Sequence, residues 1–244
     1  MKLVFLNGQP KAGNHLLHHF DRLFNKITFG RSTNGWVLFA AEEKIKKLVR
    51  DDFMFLRGHY EWWDFHEQLI RERNCKMILI IRDLRDVITA SFRSCRLGNR
   101  ANAGNDIGKF NSLYDGNQEE FIEDSILDKN KIRNSSGPLY FKNCFLPWTK
   151  VDFCHVVKFE NLIGSKGGGD DLVQKEELKQ VAEFIGLPQT DEWYQKTALE
   201  IYTTTAPTFV FGGKVGAWKQ YFSKKNIETF EKAAGGLNRK LGYK

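Results

Sequence analysis

A three-layer α/β sandwich with a mostly parallel central sheet is what this sequence predicts, and three observations predict it. Short, largely apolar runs, 2–7 and the KMILII of 76–81, read as strands buried on both faces. Stretches with the apolar spacing of a helix follow them. In LVFLNGQPKAGNHLL a glycine turn joins the first strand to the first such helix, and open parallel sheets bind anions at joins of this kind. A chain of 244 residues suits one such domain, 1–244.

The elements follow in order. Residues 2–7 form the first strand and 8–13 the turn. Helical spacing then places Leu16, Leu17, Phe20, Leu23 and Phe24 on one face of a helix over 14–24. A second helix is expected over 40–49. The apolar run 53–56 ends in Arg57, Gly58 and His59, and 62–73 reads as a helix, with Trp62 and Trp63 as core or rim packing. The strand 76–81 is followed at once by Arg82, then by a helix over 84–95. The segment 96–118 is rich in Gly and Asn with weak periodicity, so a long loop or lid is expected there. Further strands and helices are expected at 152–159, 176–185 (stopped by Gly186 and Pro188) and 223–241, with Ser223 or Asn226 as cap. A flexible loop is expected at 165–171 and a glycine-broken segment at 209–218.

Composition narrows the function. There are 37 basic and 30 acidic residues, a net +7, which favours anionic ligands; no Lys/Arg stripe on a reading module points to nucleic acid. The four cysteines, 75, 95, 144 and 154, are scattered without a C-x-x-C pair and read as buried free thiols of a reducing compartment. MKLVFL is too short an apolar run for a signal peptide, and no stretch of 18 apolar residues occurs. A cytoplasmic protein without membrane association is expected.

Gly8 and Gly13 are spaced as in the phosphate loop G-x-x-x-x-G-K-[ST], yet Asn14 and His15 stand where that motif has Lys and Ser/Thr. The loop still opens a helix. Its backbone N–H groups and the helix dipole attract an anion, Lys11 adds a charge, and Asn14 and His15 add donors. Without the hydroxyl that holds Mg²⁺, the loop suits metal-free chemistry better than ATP hydrolysis.

PKAGNHLL resembles the P-K-S-G-T-T-W loop of sulfotransferases that use 3′-phosphoadenosine 5′-phosphosulfate (PAPS). Three further segments resemble that family in order: RDLRDVITAS at 82–91, KFENLI at 158–163 with its following helix, and GGKVGAWKQYF at 212–222. The likeness covers the chain apart from 96–150. It implies a P-loop-like phosphosulfate-binding loop and a donor site formed by Lys11, Ala12, Gly13, Asn14, His15, Leu16, Arg82, Ala90, Ser91, Gly213 and Lys214.

By the same resemblance His59 is the base that takes the acceptor's proton, Lys11 stabilises the leaving phosphate, and Arg82 holds the 3′-phosphate. Arg57 is a further charge near the base. The product nucleotide is 3′-phosphoadenosine 5′-phosphate (PAP), and no metal is needed. The sequence departs from the family at the 3′-phosphate serine (Ala90, with Thr89 and Ser91 nearby), at the R-K of R-K-G (Phe211 and Gly212) and at the adenine-stacking tryptophan (Leu16). Compensation by Lys214, His15 and Arg85 is expected, or weaker donor binding.

The family's dimer motif falls on 219–228 with Ser223 and Lys224 replacing its Thr-Val, which leaves the oligomeric state open. The length suggests a small-molecule acceptor, a secondary metabolite being plausible, held by loops 28–39, 60–66 and 96–140. Two alternatives stand beside this reading: a nucleotide-binding relative without activity, and a P-loop kinase or NTPase. His15, His18 and His19 share one helix face without a further ligand set, so no metal site is expected.

Overall fold

The structure is a computed structural model and describes residues 3–24, 55–97, 103–132, 134–202 and 213–244. The expected helix at 40–49, the loop at 28–39, and Phe211 and Gly212 lie outside the described residues.

Among the described residues four strands form one all-parallel sheet: β1 (Val4–Gly8), β2 (Phe55–Arg57), β3 (Lys76–Ile81) and β4 (Cys154–Lys158), in the order β2-β1-β3-β4. β1 and β2 are buried along their whole length and β3 along nearly all of it, which is why they read as apolar runs. β4, at one end of the order, is mostly half-buried. Val4 pairs with Phe55 on one side and Lys76 on the other, and Ile81 with Lys158. The chain leaves β1 for β2, then returns past β1 to form β3. The topological switch therefore lies beyond the carboxyl ends of β1 and β3, where open α/β sheets take their ligands.

The described helices are α1 (Asn14–Phe24), α2 (Asp64–Glu72), α3 (Leu84–Leu97), α4 (Ala103–Tyr114), α5 (Gln118–Ile126), α6 (Pro138–Cys144), the single turn α7 (Phe159–Leu162), α8 (Asp171–Ile185), α9 (Asp191–Ile201), α10 (Lys224–Phe230) and α11 (Gly236–Lys240). A π-helical turn, Glu231–Gly235, runs from α10 into α11. Two compact units emerge. The first takes Met1–Gln9, Gly13–Ile81 and Cys144–Thr203, with the sheet; the second takes Pro10–Ala12, Arg82–Asn143 and Thr204–Lys244.

In the first unit Trp62 packs edge-on against the buried Trp148 at 4.5 Å, whereas Trp63 is 59% exposed just before α2. α8 starts five residues earlier than its apolar spacing suggests. Asp170 accepts from the N–H groups of Leu172 and Val173, and this cap recruits part of the expected 165–171 loop into the helix start. α9, capped by Thr190, is a helix that periodicity alone did not reveal.

In the second unit the expected 96–118 loop is largely helix α4. Phe110 and Tyr114, one turn apart, join a buried cluster with Phe92 and Phe121; Phe110 lies 5.7 Å from each of those rings and Tyr114 5.1 Å from Phe121, centroid to centroid. This aromatic packing outweighs the poor helix propensity of Gly and Asn. Ser223 and Asn226 are both caps: each side chain takes the other's backbone N–H ahead of α10.

Candidate functional site

In the first unit, the rim beyond β1 and β2 is held by asparagine side chains. Asn7, fully buried, accepts from the N–H groups of Gly8 and Tyr60, both at 2.8 Å, and donates to the Tyr60 carbonyl at 2.9 Å. Its carboxamide stands in for a strand peptide where β2 has ended. Just upstream, the Gly58 N–H donates to the Leu6 carbonyl at 3.1 Å. His59 is thus fixed through both of its neighbours.

The ring of His59 is fixed as well. Nδ1 lies 2.6 Å from the Gly8 carbonyl oxygen. A carbonyl only accepts, so Nδ1 carries the proton and the neutral ring keeps its lone pair on Nε2. Nε2 is therefore the nitrogen equipped to act as a base.

Asn14 opens α1 and folds back over the turn. Its Nδ2 donates to the Gly8 carbonyl at 3.3 Å and the Gln9 carbonyl at 2.9 Å. Both hydrogens are used, which corrects the expectation that this side chain donates to an anion; the main-chain N–H of Asn14, at the start of α1, keeps that role open. The Asn14 Oδ1 atom is buried with no hydrogen-bond partner among the described residues, a cost of about 1–3 kcal/mol.

Both glycines of the motif answer to packing. A Cβ on Gly8 would lie 2.6 Å from Ile80 Cγ2, and one on Gly13, whose φ is 112°, would lie 2.4 Å from the Phe159 ring. Leu16, which stands where the family has its adenine-stacking tryptophan, is 0% exposed and its side chain lies in the core.

Arg57 bonds to the buried Asp21 at 3.2 Å; a buried ion pair, not a free charge, occupies the end of β2. His15 and His18 meet edge-on at 5.4 Å. Burial, aided by the neighbouring histidines and Arg57, pushes His18 down to about 2, so it stays neutral. Among the described residues no group of three His, Cys, Asp or Glu is arranged to hold a metal ion.

The second unit gathers three segments that are far apart in sequence. Arg82, the residue after β3, is 5% exposed. Its Nη1 donates to the Lys11 carbonyl at 3.4 Å and its Nη2 to the Lys214 carbonyl at 3.1 Å. Asp86, one turn into α3, sits 3.9 Å from Arg82 and accepts from the N–H groups of Gly216 at 2.7 Å and Trp218 at 2.9 Å. Burial raises its carboxyl above the ordinary carboxylate range, against the pull of Arg82 and the two N–H groups. The first turn of α3 thus grips the 214–218 turn through backbone groups.

Lys11 has a left-handed φ of 73°, uncommon outside glycine, and its Nζ donates to Ser94 Oγ at 3.0 Å. Ala12 is buried and Ala90 half-buried. Ser91, near the position of the family's 3′-phosphate serine, is fully buried and bonded to Ser136 at 3.0 Å. The hydroxyl that meets the loop lysine belongs to Ser94, one helical turn beyond Ala90. Arg85 forks onto Asp83 and stacks over Trp218 at 4.0 Å, so its charge serves the same turn. Gly213 is half-buried and the Lys214 side chain exposed.

Residue-type reasoning missed Asn7, Ser94 and the bracing role of Asn14. For Asn7 a signal was present: a carboxamide at the end of an otherwise apolar buried strand must be hydrogen-bonded.

No family model matches the chain, and no curated protein matches it in sequence. Solved structures do match. Mouse sulfotransferase SULT7A1 complexed with PAP superposes with a TM-score of 0.63 at 17% identity, over 99% of this chain and 88% of that one. Retinol dehydratase in complex with androsterone and inactive cofactor PAP gives 0.61 at 13% identity, over 96% and 79%. Retinol dehydratase with retinol and PAP gives 0.60 at 15%, over 96% and 80%. The chain has the fold of these PAP-bound proteins, an α/β fold built on an all-parallel sheet.

Proposed function

We propose that the chain is a single-domain, PAPS-dependent sulfotransferase that moves a sulfuryl group to a hydroxyl or amine of a small molecule. One observation carries the reading. The Arg82 guanidinium binds the main chain at Lys11 and at Lys214, so the loop lysine, the residue after β3 and the glycine-turn segment converge. These are three of the positions at which the sequence resembles the PAPS-binding family. The shared fold with PAP-bound structures supports the same donor.

In the proposed reaction the acceptor oxygen or nitrogen forms a bond to sulfur as the bond from sulfur to the 5′-phosphate oxygen breaks. His59 Nε2 takes the acceptor's proton, its tautomer set by the Gly8 carbonyl. Lys11, turning from Ser94, neutralises the charge that develops on the leaving oxygen. The main-chain N–H groups at the start of α1 cradle the phosphate. PAP leaves as product, with no step routed through a metal. We place the protein in the cytoplasm and assign it neither a nucleic-acid nor a membrane partner.

The test is turnover of sulfur-labelled PAPS with a panel of phenols, alcohols and amines. Transfer that His59→Gln abolishes supports the reading; no transfer and no PAP binding would sink it. A nucleotide-binding relative without activity is the second reading, favoured by the core position of Leu16 and the internal bond of Ser91. It predicts PAP binding without transfer to any acceptor.

A further inference from the structure

We propose that Asn14 is a positioning residue for the base: it holds the Gly8 carbonyl in the orientation that fixes His59 with its proton on Nδ1. The inference rests on the sulfotransferase reading for its catalytic meaning, but its structural content stands apart from it.

The Gly8 carbonyl is a junction. It accepts from His59 Nδ1 at 2.6 Å and from Asn14 Nδ2 at 3.3 Å, while the Gly8 N–H is held by Asn7 at 2.8 Å. The peptide groups on either side of Gly8 are therefore pinned by asparagine side chains, and the imidazole reads the result. Asn14 is 6% exposed. It leaves its own Oδ1 buried and unpartnered in order to turn Nδ2 toward the Gly8 and Gln9 carbonyls. A side chain that served packing alone would gain nothing from that orientation, since an apolar residue of the same size would avoid the penalty.

His18 on α1 interacts electrostatically with the imidazole, and Arg57 at the end of β2, which also acts on His18, is paired with Asp21. A carbonyl oxygen can only accept, so the contact at the junction places the proton on Nδ1.

One consequence concerns the reaction. The turn that opens α1 and the proton-accepting nitrogen share a single carbonyl. A change in the loop's backbone is transmitted to the base through that oxygen, with no intervening side chain other than the imidazole itself.

The experiment is long-range ¹H–¹⁵N NMR of the histidine rings in the full chain, with His59→Gln used to assign the signal. In the wild type the Nδ1–H tautomer of neutral His59 is expected to dominate. Asn14→Asp keeps the shape but removes both Nδ2 donors and sets an acceptor against the Gly8 carbonyl. It is expected to lower the Nδ1–H to Nε2–H ratio about fivefold or more. Asn14→Gln, which retains a donor, is expected to recover part of the ratio.

An unchanged ratio in Asn14→Asp would overturn the proposal. So would a wild-type His59 protonated on Nε2, a result that needs no variant to fold. Calorimetric titration of the wild type with PAP is run beside it. Absence of PAP binding with the tautomer shift intact would defeat the sulfotransferase reading and leave the junction standing, so the two failures are distinguishable.

Discussion

The two units hold their candidate residues by different means. In the first, His59 is braced by neutral groups: Asn7 on the flanking peptides, and the Gly8 carbonyl, itself tied to Asn14, on the ring. In the second, Lys11 and Lys214 are tied through a buried guanidinium, and the 216–218 turn through a buried carboxylate. The difference follows from the work each side is asked to do. A base needs a defined proton position, which carboxamides and carbonyls set without shifting charge. The proposed anionic donor needs positive charge; Arg82 and Asp86 offset each other in the buried frame, and Lys11, half-exposed, is the cation the frame leaves toward solvent.

Mutations that strike chemistry on each side sharpen the contrast most. His59→Gln is expected to lower turnover by about 10²–10⁴. Lys11→Ala is expected to lower it by about 10²–10³, because it removes the ammonium that donates to the Ser94 hydroxyl while leaving the main-chain bond from Arg82 in place. Steady-state turnover with labelled PAPS and urea melts check both.

Stability changes come next. Asp86→Ala leaves Arg82 without its carboxylate and the N–H groups of Gly216 and Trp218 unsatisfied, a loss of about 3–5 kcal/mol by urea unfolding. Asn7→Ala removes bonds to Gly8 and Tyr60 from the neutral frame and is expected to cost about 2–4 kcal/mol. If Asn7→Ala proved the costlier of the two, the contrast between a charged and a neutral frame would fail.

Acid should separate the units further. His18 is neutral in the fold, its pKa pushed down to about 2, whereas the unfolded side chain titrates near 6.5. Below about pH 6.5 the unfolded chain binds a proton that the folded one refuses. Stability then falls with decreasing pH by at most about 1.4 kcal/mol per pH unit. His18→Gln should flatten that limb of the stability profile. The Asp86 carboxyl is shifted upward, so the folded state takes up its proton at least as readily as the unfolded one, and acid gains no such purchase there. Hydrogen exchange at pH 5 should show α1 opening before the 216–218 turn.

The smallest effect is expected at Ser94. Ser94→Ala removes one hydroxyl partner of Lys11 and should cost about 1 kcal/mol or less, with turnover changed by less than about tenfold.

Much of this architecture was legible in the residues. β3 coincides with the KMILII run and α1 with the 14–24 spacing, because burial on both faces of a strand and on one face of a helix writes directly into apolar periodicity. α4 was not legible. Its aromatics act through Phe92 and Phe121, which lie elsewhere in the sequence, and Gly and Asn dilute its local signal. The glycines of the loop were visible but for another reason: spacing suggested an anion cradle, whereas Ile80 and Phe159 leave no room for a Cβ. Asn14 reads as a donor to an anion, and only the fold, which brings the Gly8 and Gln9 carbonyls to it, decides where its hydrogens go. His59 was identified by resemblance; the nitrogen that carries its proton depends on a carbonyl 51 residues away and has no sequence signature.

The measurement that tests the central claim most directly is calorimetric titration with PAP on the wild type and on Arg82→Ala. The account predicts micromolar binding by the wild type, weakened at least about tenfold when the guanidinium is removed. No heat of binding at millimolar PAP, from a wild type that melts cooperatively, would contradict it and leave a shared fold without the donor.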